Sequence, residues 1–336
     1  MDPLARLTVL GSLNMDISVT VPALPAPGAT VLGGAAEFTP GGKGANQAVA
    51  AARLAAAAGI CVRMVGCVGD DDFGRALRAN LKNEGIDERA VRTVPGAPTG
   101  IAMITVDQAG ENIITVAPGA NREVSEQDIA NAADPGGGVP GVLVISAEIP
   151  LPAIVRALDG AHGAAGAGGG TAPRVLTVVN LAPAPPRADA AGILRRRPDW
   201  LVVNEPEAAA ILGAPVGGLA AAARASAGLV AAGARNAVVT AGAAGAAYHG
   251  ADNSESSPRT VRAFAIQARD TVGAGDTFVG ALAVALAGGV PPAEAVTAAA
   301  AAAAAAATRP GAQAGMPRPA DVAAATGHAW PLATTH

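Results

Sequence analysis

Short apolar runs separated by helix-length segments constrain this chain more than any other feature. Residues 60–68 precede a helical pattern at 73–84, 142–146 one at 151–158, 175–179 one at 188–195, and 201–203 one at 205–212. The apolar pair Val238 and Val239 follows a further helical pattern at 219–231. A strand with one wet face alternates apolar and polar residues, whereas strands apolar on both faces belong to a parallel sheet covered by helices on each side. The expectation is an α/β fold with a mostly parallel sheet. Ligands in such sheets collect beyond the carboxyl ends of the strands. Asn14, Glu148, Asn204, Thr240 and Asp270 are expected at such ends.

A chain of 336 residues suffices for one large α/β domain or a domain plus an appendage. The sequence contains an appendage. Residues 17–39 read as short β segments broken by Pro22, Pro25, Pro27 and the Gly33-Gly34 pair, and 99–106 with 112–116 flank the turn Asp107-Gln108-Ala109-Gly110 as a hairpin. Neither piece is large enough to fold alone, so together they form a small sheet over a site. The division is then an α/β domain of residues 1–16, 40–98 and 118–336, with a β segment of 17–39 and 99–117. Residues 161–173 are Gly/Ala-rich without periodicity and read as a flexible surface insertion, and 254–258 as a polar loop.

Two glycine-bearing loops open onto helical patterns. In the second, Asp270-Thr271-Val272-Gly273-Ala274-Gly275-Asp276-Thr277 lies between an apolar, strand-like run at 261–266 and a helical pattern at 278–286. Unpaired amides and the helix dipole suit such a loop to an anion. Asp276 is either a capping residue or a base placed where phosphate charge develops; capping accounts for one Asp but not for the Gly-Ala-Gly before it. In the first loop, Gly41-Gly42-Lys43-Gly44-Ala45-Asn46-Gln47 precedes a helical run at 48–58, and Lys43 and Asn46 add a cation and an amide. It lacks the spacing of a Walker A loop. Asn14 and Asp16 are two apart, so on a strand they share a side. They either grip neighbouring hydroxyls or make a strand-end turn, and spacing alone leaves both open.

Composition removes several classes of function. With 23 basic against 27 acidic residues, a net charge of −4 and 2% aromatics, a nucleic-acid surface is disfavoured. Cys61 and Cys67 do not make a disulfide framework or zinc site and read as buried thiols in a reducing cytoplasm; the four histidines are scattered. The alanine run 298–307 is too short for a membrane span and reads as a packed helix, and residues 1–10 lack the pattern of a secretory signal.

The two loops, in this order along nearly the whole chain, resemble the ribokinase-like family of sugar kinases. The resemblance implies ATP-dependent phosphorylation of D-ribose at its primary hydroxyl, with Asp276 as base and the amides of Gly273, Ala274 and Gly275 as the anion hole. It assigns Asn14, Asp16, Gly42, Lys43, Asn46 and Glu148 to the sugar, and Asn204 and Glu207 to the waters of Mg²⁺ and phosphate. Thr240, Gly242, Gly245 and Gly275 fall to the nucleotide, with Ala300 beside the adenine. Ala243, Ala244 and Ala300 depart from the polar residues common at these positions. A potassium site is implied from Asp270 with the carbonyls of Val272, Ala306, Arg309 and Gly311; Gly315 stands where the family usually offers a serine hydroxyl. The β segment corresponds to a lid that also forms a homodimer interface. Alternatives are a family kinase for deoxyribose, fructose, 2-keto-3-deoxygluconate or adenosine, and a non-catalytic sugar- or nucleotide-binding homologue. A dinucleotide-binding oxidoreductase ranks last, because no Gly-x-Gly-x-x-Gly follows the first strand.

Overall fold

The structure, a computed structural model, describes residues 6–133, 141–163, 175–250 and 257–332. Its strands are β1 (Arg6–Leu10), β2 (Asn14–Val21), β3 (Glu37–Gly41), β4 (Cys61–Gly69), β5 (Asp87–Val94), β6 (Gly100–Asp107) and β7 (Asn112–Ala117). They continue with β8 (Val142–Ser146), β9 (Leu176–Asn180), β10 (Trp200–Asn204), β11 (Asn236–Thr240), β12 (Gly245–Gly250) and β13 (Arg259–Arg262). A nine-stranded sheet runs β13-β12-β11-β10-β9-β8-β1-β4-β5, parallel from β11 through β5 with β12 and β13 antiparallel at one edge. A second, four-stranded sheet runs β3-β2-β6-β7. It is mixed, with β2 and β6 parallel and the two outer pairings antiparallel.

The apolar strands separate two cores. Val9, Val144, Val178, Val202 and Val238 face one cluster, while Leu10, Leu143, Ile145, Val179, Leu201, Val203 and Val239 face the other. Alternate residues pointing to opposite faces, both buried, is the pattern that required helices on each side. β5 and β12 were not apparent in the sequence. β5 reads Asp-Glu-Arg-Ala-Val-Arg-Thr-Val with little of it buried, because it is an edge strand whose outer face meets water.

Several sequence expectations need correction. The strand before the second loop is β13, which ends at Arg262, so most of the run 261–266 lies outside the sheet. Asp270 therefore lies beyond an antiparallel edge strand and not at the carboxyl end of a parallel one. The helix after the first loop begins at Lys43, so Lys43 and Asn46 belong to its first turn. Cys61 is exposed and only Cys67 is buried. Residues 161–163 close the helix Leu151–Gly163; the rest of the expected insertion, and most of 254–258, lie outside the described residues.

Small side chains bring the helices together. At Gly280, in the helix Ala274–Ala287, an added Cβ would come within 2.6 Å of the Gln47 carbonyl and 2.9 Å of the Ala50 Cβ, on the helix Lys43–Ala55. That crossing lies one turn from Asp276 and sets it against Asn46 and Gln47. The alanine-rich helix Pro292–Ala307 packs on the other side, with Ala298, Ala299, Ala301, Ala302, Ala305 and Ala306 buried. No helix among the described residues is long and apolar enough to cross a membrane.

Candidate active site

The strand order reverses between β1 and β8, and the crevice beyond their carboxyl ends is where an open α/β sheet exposes a ligand site. Ser12, just past β1, donates from Oγ to Glu148 Oε2 at 2.6 Å, just past β8. The same carboxylate oxygen accepts the Lys43 amide at 3.1 Å. Glu148 thus ties the first loop across the switch point, a structural duty beyond the sugar contact expected of it. Gly42 has φ 88, and a Cβ there would lie 2.7 Å from the Asn14 nitrogen. Glycine is required because the loop presses on the start of β2.

β2 carries Asn14 and Asp16 on one side. Asn14 is buried, and its Oδ1 accepts from Asn121 Nδ2 at 2.8 Å. Asn121 also accepts the Leu13 amide and donates to the Leu13 carbonyl, so it clamps the strand and leaves the Asn14 amide nitrogen for a ligand. Asn121 was missed in the sequence because its partners are 107 and 108 residues away. Beside this pair lies a cavity of about 570 Å³, lined in part by Asn14, Asn121, Glu148, Val116 of β7 and Pro183. A volume of this order suits a small-molecule site. Both sheets therefore contribute to its wall.

Asp276 lies in the first turn of the helix Ala274–Ala287 and is 8% exposed. Asn46 Nδ2 donates to its Oδ2 at 3.0 Å and Gln47 Nε2 to its Oδ1 at 3.1 Å. Gln47 Nε2 also reaches Asn180 Oδ1 at 3.0 Å. Asp276 is thus buried, held by both oxygens and not used as a side-chain cap. The neighbouring anion hole needs one correction. The Ala274 amide donates to the Thr271 carbonyl at 3.2 Å and closes a turn. The amides of Gly273, Gly275 and Asp276 make no such bond, as befits donors that precede the first intrahelical acceptor. A Cβ at Gly275 would meet nothing within 4 Å, so space lies open above it.

Charge converges here. The Asp276 charge holds the Lys43 ammonium above the usual lysine value against the cost of burial, with help from Glu148, Glu207 and Asp16. Burial, then the charges of Glu148 and Asp276, push Asp16 up to about 7, while Lys43 draws it back. Burial also raises Glu207, opposed by the Asn204 amide and by Lys43. Asp16, Glu148, Glu207 and Asp276 thus share one ammonium.

On the other side of the site, Asn204 and Glu207 form a capping box: the Asn204 amide donates to Glu207 Oε2 at 2.8 Å, and the Glu207 amide to Asn204 Oδ1 at 2.9 Å. The capping role is therefore occupied. Thr240 ends β11, and Gly242 and Gly245 form the tight turn into β12, with the Ala241 amide donating to the Gly245 carbonyl at 2.8 Å. Gly245 has φ 115, and its missing Cβ makes room for the Val261 carbonyl of β13. Ala300 is half-buried in the alanine-rich helix, against the core cluster that includes Ala246 and Tyr248.

The loop at Asp270 is tied to residues 311–316. Asp270 accepts the Val272 amide at 2.9 Å and the Gly311 amide at 2.7 Å, so its turn-pinning role is present. At Gly315, the position where a Cβ would sit lies 3.2 Å from the Arg309 carbonyl oxygen and 3.3 Å from that of Ala306. Carbonyl oxygens thus converge where a side chain is missing. Val272 is exposed, and the Gly311 carbonyl accepts the Gly315 amide at 3.0 Å.

The chain matches the pfkB family carbohydrate kinase pattern over residues 4–319. It is 38% identical over 293 residues to a ribokinase of Schizosaccharomyces pombe, covering 85% of this chain and 86% of that one. It is 34% identical over 311 residues to a ribokinase of Haemophilus influenzae, covering 93% and 95%. Among solved structures, Arabidopsis thaliana ribokinase complexed with ribose and ATP superposes with a TM-score of 0.80 at 28% identity, over 95% of this chain and 98% of that one. With its fold, its two loops and this extent of likeness, the chain belongs to the pfkB family of carbohydrate kinases.

Proposed function

We propose that the protein phosphorylates D-ribose to D-ribose 5-phosphate, with ATP as donor. The observation that carries this reading is Asp276: a buried carboxylate held by two amide side chains, beside unpaired helix amides and a half-buried lysine. The ribose is held by Asn14, Asp16, Lys43, Asn46 and Glu148 and by the Gly42 backbone. Asp276 takes the proton of the primary hydroxyl, that oxygen forms a bond to the γ-phosphorus, and ADP leaves with the electrons of the broken P–O bond. The amides of Gly275 and Asp276, with Lys43, hold the charge of the transferring group.

ATP lies between the turn at 240–245 and the helix Pro292–Ala307. The four carboxylates around Lys43 make a polyanion unwelcome without counter-cations, and the residues present fit a magnesium ion that keeps its waters. Asn204 and Glu207 would hold those waters, and magnesium supplies neutralisation of the phosphates. The oxygens around Gly315, with Asp270, Val272 and Gly311, fit a hard monovalent cation such as K⁺, which would hold the 270–275 loop in one shape. The four-stranded sheet acts as a lid. Its β7 is an edge strand exposed along its length, with Ile114 and Val116 on one side and Ile113 on the other, an edge suited to pairing with a second copy as a homodimer. Reduced thiols fit a cytoplasmic setting.

Steady-state kinetics with ATP and Mg²⁺ over ribose, deoxyribose, fructose, 2-keto-3-deoxygluconate and adenosine, in K⁺ and in Na⁺ at equal ionic strength, tests this. Ribose should give the highest kcat/KM, and K⁺ the higher kcat. A preference for another acceptor overturns the ribose assignment, and equal rates in the two salts leave Asp270 only its turn-pinning role.

A further inference from the structure

A chain of side-chain amides runs from the surface-proximal helix Asp72–Asn83 to Asp276. Asn80 Nδ2 donates to Gln313 Oε1 at 2.8 Å, Gln313 Nε2 donates to Asn46 Oδ1 at 3.0 Å, and Asn46 Nδ2 donates to Asp276 Oδ2 at 3.0 Å. Asn46, Gln313 and Asp276 are all buried. An amide side chain presents an acceptor at one end and donors at the other, so each can in principle be turned round. Turned round, Asn46 would aim its oxygen at the Asp276 carboxylate, and two acceptors would face each other in a buried site. The acceptor-only carboxylate sets the direction of Asn46, and Gln313 reinforces it by presenting its NH₂ to the Asn46 oxygen. Gln313 in turn takes the Asn80 donor at its own oxygen, so the three amides share one direction.

The backbone around Gln313 is anchored as firmly as its side chain. Arg53 Nη1 donates to the Gln313 carbonyl at 2.6 Å and to the Met316 carbonyl at 2.8 Å, and Arg53 is itself paired with Glu84 at 2.6 Å. On the other side, the Gly311 amide reaches Asp270 at 2.7 Å. Gln313 therefore sits where the segment that holds the 270–275 loop meets the amides that hold the base. Every donor in the chain points toward the carboxylate, an arrangement in which each bond strengthens the next.

We propose that Gln313 is a positioning residue for phosphoryl transfer, which locks Asn46 with its amide nitrogen on Asp276 and so couples the 311–316 segment to the base. The inference rests on the role assigned to Asp276 above. Gln313 acts through Asn46, which also holds the sugar in the reading above, so its loss should lower kcat by more than it weakens ribose binding.

The test is a double-mutant cycle between Gln313→Met and Asp276→Asn. Methionine keeps the length and volume of glutamine and removes the amide. In the unaltered background Gln313→Met should lower kcat about tenfold, with the calorimetric Kd for ribose weakened by less than that factor. In the Asp276→Asn background it should change the residual rate by less than about twofold, because no base remains to be positioned. An equal loss in both backgrounds, or an unchanged kcat in the first, overturns the proposal. If the methionine variant does not fold, Gln313→Glu serves instead: it still accepts from Asn80 but has no donor for Asn46, so the same loss of kcat is expected, and a normal kcat overturns the proposal. Full activity of Asp276→Asn alone would instead remove the base assignment, an outcome distinct from the failure of Gln313.

Discussion

The two glycine loops look alike in sequence and differ in what their glycines are for. In the first, the missing side chains are replaced by protein: a Cβ at Gly42 would strike β2, and one at Gly44 would lie 2.6 Å from the Gly11 carbonyl carbon. In the second, Gly273 is also packed, its Cβ position 3.0 Å from the Ala312 Cα, whereas Gly275 faces open space. Both loops precede a helix, and both read as places where a ligand can approach the backbone. The comparison teaches that glycine before a helix records a close approach without saying what approaches. In the first loop the partner is the chain itself, and the ligand is met by side chains. In the second, Gly273 is pressed by the chain at Ala312, and Gly275 leaves space that the proposed phosphate would fill.

The largest expected effect lies in the second loop. Asp276→Asn keeps the shape and removes the proton acceptor, so kcat should fall by on the order of 10² to 10⁴ with ribose affinity nearly intact. Single-turnover rates beside ribose calorimetry check this, and a near-normal rate would return Asp276 to a structural role. Gly275→Ala comes next. A methyl there meets no protein atom and suits the helix, so stability should stay within about 0.5 kcal/mol while kcat drops roughly 10- to 100-fold as the anion space fills. Lost stability with normal kcat would erase the distinction between the loops.

Gly42→Ala should show the opposite balance. Its positive φ and contact with the Asn14 nitrogen predict a loss of about 1–3 kcal/mol in urea unfolding. Ribose binding should fail with it, since Asn14 is displaced. The smallest effect concerns Asp16 and has a defined sign. Its folded value of about 7 lies above the ordinary 3.8, so the folded state holds the proton more tightly than the unfolded chain does. The resulting stability is full below about pH 3.8 and is lost as pH rises through 7. Asp16→Asn should therefore melt higher than the unaltered protein at pH 8, with the gap closing toward pH 4, while ribose binding is lost. A lower melting temperature at pH 8 would show that ionised Asp16 is no burden to the fold.

Much of this site was legible because its signals are local. Periodicity exposed the β1, β4, β8, β9, β10 and β11 strands, and spacing put Asn14 beside Asp16 and glycines before helices. Other features were not, and each for a physical reason. β5 is charged because one edge of the sheet meets water, so it carries no apolar run. Asn204 and Glu207 satisfy a capping box as well as any ligand role, since three-residue spacing serves both. Of the amides expected at 273–275, that of Ala274 is taken by a 3.2 Å turn bond to the Thr271 carbonyl, which depends on the local fold of the loop.

By itself the sequence determined the α/β architecture, the two loops and the residue proposed as base, since all three are written in short stretches of chain. Only the tertiary structure decided what holds that base. Asn46 and Gln47 reach Asp276 across 230 and 229 residues, and Gln313 reaches Asn46 across 267. Those contacts exist because glycine and alanine let two helices cross closely at Gly280. A pattern of small residues announces that helices can approach, but the partner and the register follow from packing the whole sheet between its two cores.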